Sequence, residues 1–123
     1  MSPGEAGACG QKPNCVSTFD SRAGRHVEPW RYDGSRAEAM DRLGTLLRAL
    51  PRVAVYHGGV DYLHAEFRSP LWRFVDDVEF HLPMHEPVVH FRSASRSGFW
   101  DFGVNRRRMR RLGRLFQDAQ PRR

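Results

Sequence analysis

Residues 62–68 have the sequence Tyr-Leu-His-Ala-Glu-Phe-Arg, and their strict alternation decides the fold. Leu63, Ala65 and Phe67 fall on one side of an extended chain, and polar or half-polar side chains fall on the other. This is the pattern of a half-buried β-strand, and the Ser-Pro pair that follows ends it. Because such a strand has one apolar face, the flanking segments must supply a second layer that covers it.

Further strands flank this segment on both sides. A strand begins at Val53 and turns back through two glycines, residues 72–82 alternate again, and residues 88–93 form a last strand. Residues 25–30 are a candidate fifth strand at the edge, ended by a proline. Connections this short predict antiparallel pairing. One face of the 72–82 strand holds Trp72, Phe74, Asp76, Val78 and Phe80.

Two amphipathic helices are predicted to cover the sheet. Ser35 and Glu38 have the spacing of a capping box, and Pro51 ends this first helix. The second helix has Asn105 as its N-cap and ends before Pro121. The apolar stripes are Met40, Leu43, Leu46, Leu47 and Leu50 in the first helix and Met109, Leu112, Leu115 and Phe116 in the second. The sequence therefore predicts an α+β two-layer sandwich: an antiparallel sheet of four to five strands with two helices packed on one face.

The length of 123 residues fits one domain. We expect an irregular lead-in over residues 1–24, a single α+β domain over 25–119 and a tail over 120–123. A hydrophobic content of 40% argues against wholesale disorder. No apolar run approaches the ~20 residues of a membrane span, and no secretory signal is visible, so we expect a cytoplasmic protein.

Two cysteines, Cys9 and Cys15, lie close together near the start of the chain. They can form a small disulfide loop in an oxidising compartment, whereas the cytosol would keep them reduced. A disulfide would therefore argue for export and against the cytoplasmic prediction.

The net charge of +6 rests on 19 arginines and a single lysine. Residues 1–91 hold 10 basic and 12 acidic side chains, whereas residues 92–123 hold 10 basic and 2 acidic side chains. A basic end favours an acidic partner. GC-rich coding is an alternative source of the arginines. Nucleic acid is not the expected partner, because no known binding module or interleaving of aromatic and basic residues accompanies the charge.

Four ordered blocks of sequence resemble the family catalogued as domain of unknown function 1499. They are residues 13–17 (PNCVS), residues 63–67 (LHAEF), residues 74–80 (FVDDVEF), and residues 92–98 (RSASRSG) continuing through 101–106 (DFGVNR). The resemblance extends from Cys9 to about Leu115. It implies no activity that can be carried over. Some members have membrane or export segments ahead of the domain, which are not seen in this sequence.

Residues 92–106 are the strongest candidate for a binding site. Glycine-rich backbone that leads into a helix can hold an anion, and arginine adds bidentate capture. The alternative is an internal network in which Arg73, Arg92 or Arg96 pairs with Asp76, Asp77 or Asp101. The candidate ligand-binding residues are Arg73, Asp76, Arg92, Ser95, Arg96, Asp101, Asn105 and Arg106.

Asp76 supports a separate prediction, because alternation places it on the apolar face of its strand. A buried carboxylate is costly without a partner, and we expect an ion pair with Arg96 or Arg106. A bulge at Asp76-Asp77 that turns the side chain outward is the alternative.

The other face of the sheet carries side chains that are able to bind metal: His64, Glu66, Asp77, Glu79, His81 and His90. A solvated antiparallel face has the same appearance. His81 and His85 have the spacing of a helical ligand pair, but Pro83 stands between them. We therefore predict no metal and no cofactor, and we assign no catalytic residue.

The sequence leaves two functional hypotheses. The first is a non-enzymatic binding or accessory module that acts through the arginine-rich loop and the last helix on an acidic protein or an anionic small molecule, with a membrane surface as a further possible partner. The alternative is a small enzyme or ligand carrier with a pocket between sheet and helices, lined by Trp72, Asp76, Arg96 and Trp100.

Overall fold

A computed structural model of the chain describes residues 7–71 and 74–120. The elements in chain order are β1 (Cys15–Ser17), β2 (Trp30–Arg31), α1 (Arg36–Arg48), β3 (Val53–His57), β4 (Tyr62–Arg68), β5 (Val75–His81), β6 (Val88–Ser95) and α2 (Val104–Asp118). This confirms the α+β class with an antiparallel sheet. The described sheet has six strands rather than the four to five expected.

The sheet has the order β1-β6-β5-β4-β3, and β2 pairs with another part of β6. Every pair of strands is antiparallel. For the consecutive strands β3 to β6 this is what the short connections predict. The additional strand β1 lies within the segment that was expected to be irregular. Three residues are too few for alternation to reveal a strand, and it is pairing with β6 that extends them. Of the candidate strand at 25–30, only Trp30 belongs to β2.

The helices differ in how well the sequence predicts their starts. The capping box of α1 is present, with Ser35 and Glu38 each bonded to the other's backbone N–H. The prediction that Asn105 caps α2 is wrong, because the N-cap is Gly103 and Asn105 lies in the first turn. Gly103 has a φ of 79°, a left-handed conformation that glycine adopts without steric cost.

The core lies between one face of the sheet and both helices. The helices contribute Leu43, Leu47, Met109, Leu112 and Phe116, and the strands contribute Leu63, Ala65, Val78, Phe80 and Phe91. Phe74 was expected on this face but is 58% exposed, because β5 begins only at Val75. Trp72 lies outside the described residues. Within those residues, no helix is long and apolar enough to cross a membrane.

Candidate functional site

Asp76 forms a buried ion pair on the helix-facing side of the sheet. Its carboxylate accepts a hydrogen bond from Arg108 Nη2 at 2.6 Å, and the two side chains are only 12% and 16% exposed. The register at Asp76 is regular on both sides, so the bulge alternative is wrong. The expected partners, Arg96 and Arg106, are also wrong, because Arg96 pairs with Asp77 on the opposite face of the sheet and Arg106 lies on the other edge of α2, where it donates to the Gly24 carbonyl. The Arg108 guanidinium lies 4.9 Å from the centre of the Phe67 ring, a cation–π contact.

Asn105 is fully buried at the centre of a polar network beside this ion pair. Its side-chain oxygen accepts hydrogen bonds from Ser93 Oγ at 2.7 Å and from Arg108 Nη1 at 2.8 Å. Its amide nitrogen lies within hydrogen-bond distance of the Asn14 carbonyl, Ser95 Oγ and Asp101 Oδ2, at 3.0, 3.1 and 2.8 Å. We call these residues the Asn105 network. It joins α2 to β6 and to the segment just before β1.

Asp101 occupies the helix N-terminus that the sequence offered as an anion site. Its carboxylate accepts from the backbone N–H of Gly103 at 2.8 Å and from that of Asn105 at 3.2 Å. The N–H groups that favour an anion at the start of a helix are therefore bound by the chain's own carboxylate. Asp101 is therefore held within the fold by backbone N–H groups and not by Arg92 or Arg96, and of the internal pairs considered from the sequence it is Arg96–Asp77 that the structure contains.

Arg92 and Arg96 lie on the opposite, open face of the sheet. Arg96 donates to Asp77 from Nε at 2.7 Å and from Nη2 at 2.9 Å, and its Nη2 is 3.4 Å from Glu66. Arg92 Nη1 lies 3.4 Å from Glu79, which also accepts from the Tyr62 hydroxyl at 2.8 Å. Both arginines are therefore bound within the fold.

Electrostatics on the open face follow from these contacts. Burial acts to raise the pKa of Asp77, but hydrogen bonds from Arg96 and His64 outweigh it and hold the pKa below its ordinary value. Burial and the hydrogen bond to Glu79 raise the pKa of the Tyr62 hydroxyl well above its ordinary value. Within the described residues, no group of three or more side chains is arranged to hold a metal ion.

The eight residues predicted to form one binding site therefore lie in different parts of the structure. Asp76, Ser95, Asp101 and Asn105 come together, Arg92 and Arg96 lie across the sheet, and Arg73 lies outside the described residues. Arg106 donates to the Gly24 carbonyl at 3.2 Å. Sequence reasoning missed Asn14 and Arg108, and it placed Ser93 in the 92–106 segment without counting it among the eight site residues. Arg108 had a usable signal, since it lies three residues after Asn105 and next to the apolar stripe of α2.

A pocket of about 570 Å³ adjoins the Asn105 network at the end of the sheet. We call it the end pocket. Its polar wall includes Asp76, Ser95, Asp101 and Arg108, and its apolar lining comprises Leu50, Pro51, Phe67, Pro70, Phe74, Trp100, Phe102 and Val104. Of the lining predicted from sequence, Asp76 and Trp100 are present, Arg96 is not, and Trp72 lies outside the described residues. A second pocket, of about 440 Å³, lies over the paired charges of the open face.

The outer side of α2 forms a basic surface that we call the arginine face. Arg107, Arg110, Arg111 and Arg114 are exposed and Arg106 is partly exposed. In the helix Arg107, Arg110, Arg111 and Arg114 lie on the side away from the buried Met109, Leu112 and Phe116, and Arg106 lies at the edge between the two sides. Arg107 donates to the Phe102 carbonyl. No ion pair to a carboxylate involves any of the five within the described part of the chain.

Comparison with known proteins confirms the resemblance noted in the sequence. A family model described as "Protein of unknown function (DUF1499)" matches residues 6–116, which is most of the chain. No curated protein matches the sequence.

Proposed function

The chain belongs to DUF1499, a family described as being of unknown function, and from its geometry we propose that it is a non-enzymatic binding module that engages an acidic partner protein through the arginine face. The observation that carries this proposal is a set of five arginines on one helix side without a carboxylate partner in the described structure. Exposed like charges at this density repel one another, and an acidic partner would relieve that repulsion.

A comparison of the two helices tests the alternative that GC-rich coding, and not a partner, accounts for the arginines. If GC-rich coding alone had added arginine to solvated surfaces, both helices would be equally basic. α1 has three arginines and two carboxylates, whereas α2 has six arginines and one carboxylate. The excess is specific to α2, and this favours a partner over codon usage.

Two other anionic partners fit the arginine face less well. A helix that lies in a membrane surface inserts its apolar side, but the apolar side of α2 is buried in the core. Single-stranded nucleic acid binding alternates basic charge with aromatic platforms for the bases. The exposed Trp100 and Phe102 lie in the end pocket, at the Arg111 edge of the arginine face, and not between its arginines. Carboxylates match the fork of the arginine guanidinium and need neither feature.

Titration with an acidic peptide tests the proposal. The probe is a 20-residue poly-L-glutamate, compared at equal ionic strength with a DNA duplex and with vesicles that contain phosphatidylglycerol. We expect binding of poly-L-glutamate that weakens with salt. Arg110→Gln with Arg114→Gln should weaken it by about tenfold, since two exposed pairs contribute about 1.4 kcal/mol together.

The matched control is Arg36→Gln with Arg48→Gln, which makes the same charge change on α1. Equal weakening by the two double variants would mean that only bulk charge matters, and the proposal would fail. Tighter binding of the duplex or of the vesicles than of poly-L-glutamate would also overturn it.

A ligand carrier is the second candidate function, and the end pocket is the observation that favours it. Its volume of about 570 Å³ lies in the usual range for small-molecule sites. Its described lining contains no histidine or cysteine, and Asp76 and Asp101 already accept hydrogen bonds within the fold. These features favour a carrier over an enzyme.

The cytoplasmic location predicted from sequence stays a prediction, and the pairing of the cysteines weighs against it. Cys9 and Cys15 form a disulfide in the structure, and disulfides persist mainly in oxidising compartments. Thiol titration of protein isolated with its cysteines trapped by alkylation tests this point. Two free thiols would favour the cytoplasm, and none would favour an oxidising compartment.

A further inference from the structure

We infer that the end pocket binds an amphipathic anion, meaning one carboxylate, sulfate or phosphate group attached to an apolar body. This inference rests on the ligand-carrier candidate and not on the acidic-partner proposal, and the two surfaces share one residue, Arg111. It is carried by the apolar rim of the pocket, by its charge balance and by its backbone conformation.

The apolar side chains of the end pocket are unusually exposed. Phe74 is 58%, Trp100 is 64% and Phe102 is 86% exposed, and all three line the same cavity. Apolar side chains that cluster at the surface mark binding sites more often than isolated ones do. A ligand with an apolar body would remove this surface from water, with a gain of about 25 cal/mol for each Å² buried.

The charges around the pocket leave positive groups free. The two carboxylates are bound within the fold, Asp76 by Arg108 and Asp101 by the start of α2. By contrast, Arg52 and Arg111 line the pocket and form no ion pair to any described residue. Both are exposed at the surface. The pocket therefore offers two guanidinium groups that have no carboxylate partner among the described residues, beside an apolar lining, and this combination suits an anion rather than a cation or a neutral molecule.

The backbone supports the same location. Arg52 and Phe102 have φ values of 58° and 54°, and among the described residues they are the non-glycine positions with positive φ. Both line the end pocket. This conformation is sterically unfavourable for an L-residue, and glycine would adopt it freely. Strain of this kind clusters at binding sites, where the side chain is needed at that position. Here it holds one arginine and one phenylalanine against the cavity.

Titration with three ten-carbon probes tests the inference. The probes are decanoate, decan-1-ol and decylammonium, each used below its aggregation limit and followed by calorimetry and by tryptophan fluorescence. We expect decanoate to bind about tenfold more tightly than decan-1-ol and decylammonium to bind weakest, since one charge-assisted contact contributes about 1.4 kcal/mol. Equal affinity for decanoate and decan-1-ol would overturn the inference.

Paired variants locate the site. Arg52→Gln with Arg111→Gln should remove the preference for decanoate and leave decan-1-ol binding unchanged. Phe74→Ala with Trp100→Ala should weaken both probes. The control is Arg110→Gln with Arg114→Gln, which lies on the arginine face and away from the pocket. If this control weakens decanoate as much as the pocket variants do, the charge of α2 acts in bulk and the site is not in the pocket.

Further readouts keep the outcomes separate. Each variant whose probe binding is compared must retain cooperative thermal unfolding. Phe102→Gly is a second test of the apolar rim of the pocket, because it removes the aromatic ring and also relieves the backbone strain at this position. Vesicles with phosphatidylglycerol form the last arm. Binding to vesicles that depends on Arg52 and Arg111, without binding of free decanoate, would show a membrane surface instead and overturn the inference. Failure of poly-L-glutamate binding would not affect it.

Discussion

Asp76 and Asp77 are neighbours in the chain, yet they form ion pairs on opposite faces of the sheet. Asp76 faces the helices, and both members of its pair with Arg108 are at least four-fifths buried. Asp77 faces outward, and its partner Arg96 is 47% exposed. The comparison shows that two adjacent carboxylates with similar hydrogen-bond distances to their arginine partners have different physical roles. One is fixed in a polar network within the core, and the other belongs to a surface cluster in contact with water.

The largest expected effect is a test of this contrast. Asp76→Ala should lower the free energy of unfolding by about 3–5 kcal/mol, because it leaves Arg108 buried without its counter-charge. Asp77→Ala should cost less than about 1 kcal/mol, since water can solvate Arg96. Chemical denaturation of both variants measures the difference. Equal losses would show that the two pairs are energetically alike. Asp76→Leu with Arg108→Met is the control, and it should recover most of the loss.

The second effect concerns Asn105, the centre of the network on the helix side. Asn105→Ala should cost about 2–3 kcal/mol, because Ser93, Ser95 and Arg108 lose a hydrogen-bond partner in a buried site. Tyr62→Phe removes one hydrogen bond to the charged and also buried Glu79, which keeps Arg92 beside it, and should cost about 1.5 kcal/mol. Denaturant midpoints and slopes measure both. A Tyr62→Phe loss as large as that of Asn105→Ala would contradict the asymmetry between the faces.

The disulfide supplies a third, smaller effect on the open side. Cys9 and Cys15 form a buried cluster with Ala94, on the face away from the helices. Cys9→Ser with Cys15→Ser should cost about 2 kcal/mol, as expected for a loop this short. The change is read by thermal unfolding, with and without reductant. Wild-type protein in reductant should match the double variant, and a variant that still responds to reductant would disprove the assignment.

The smallest effect is a pH dependence that belongs to Asp77. Because its pKa is lower in the folded protein than in the unfolded chain, its contribution to stability is present above about pH 4 and is lost as the pH falls through the folded pKa. Asp77→Asn should therefore flatten the loss of stability between pH 5 and pH 3, by less than about 1 kcal/mol. Urea unfolding at several pH values measures it. An unchanged acid limb would exclude Asp77 as its source.

Periodicity predicted most of the fold, and the reasons for the exceptions are physical. The alternation over residues 62–68 and the capping box at Ser35 are local patterns, and both are present as predicted. β1 was missed because three residues show no period and only pairing with β6 defines them. The start of α2 was misplaced because the left-handed Gly103 and the carboxylate of Asp101 cap it in place of Asn105.

The site was predicted less well, because partners depend on three-dimensional placement. Alternation indicated correctly that Asp76 is buried and needs a counter-charge. Alternation alone could not identify which of several arginines supplies that counter-charge. Identifying Arg108 requires knowledge of how α2 is rotated about its axis relative to the sheet. Arg92 was grouped with Ser95 because the two are close in sequence, but successive strand positions point to opposite faces, so Ser95 contacts Asn105 on the helix side while Arg92 contacts Glu79 on the open face.

The pairing of β1 with β6 also has a consequence for the order of folding. Residues 15–17 lie against residues 92–94, so this edge joins parts of the chain separated by most of its length. The Asn14 carbonyl completes the connection by accepting a hydrogen bond from Asn105. Contacts of such long sequence separation form slowly, because a large loop must close first. During synthesis, residues 15–17 leave the ribosome before residues 92–94 and must therefore stay unpaired until the last strand and the start of α2 have followed them.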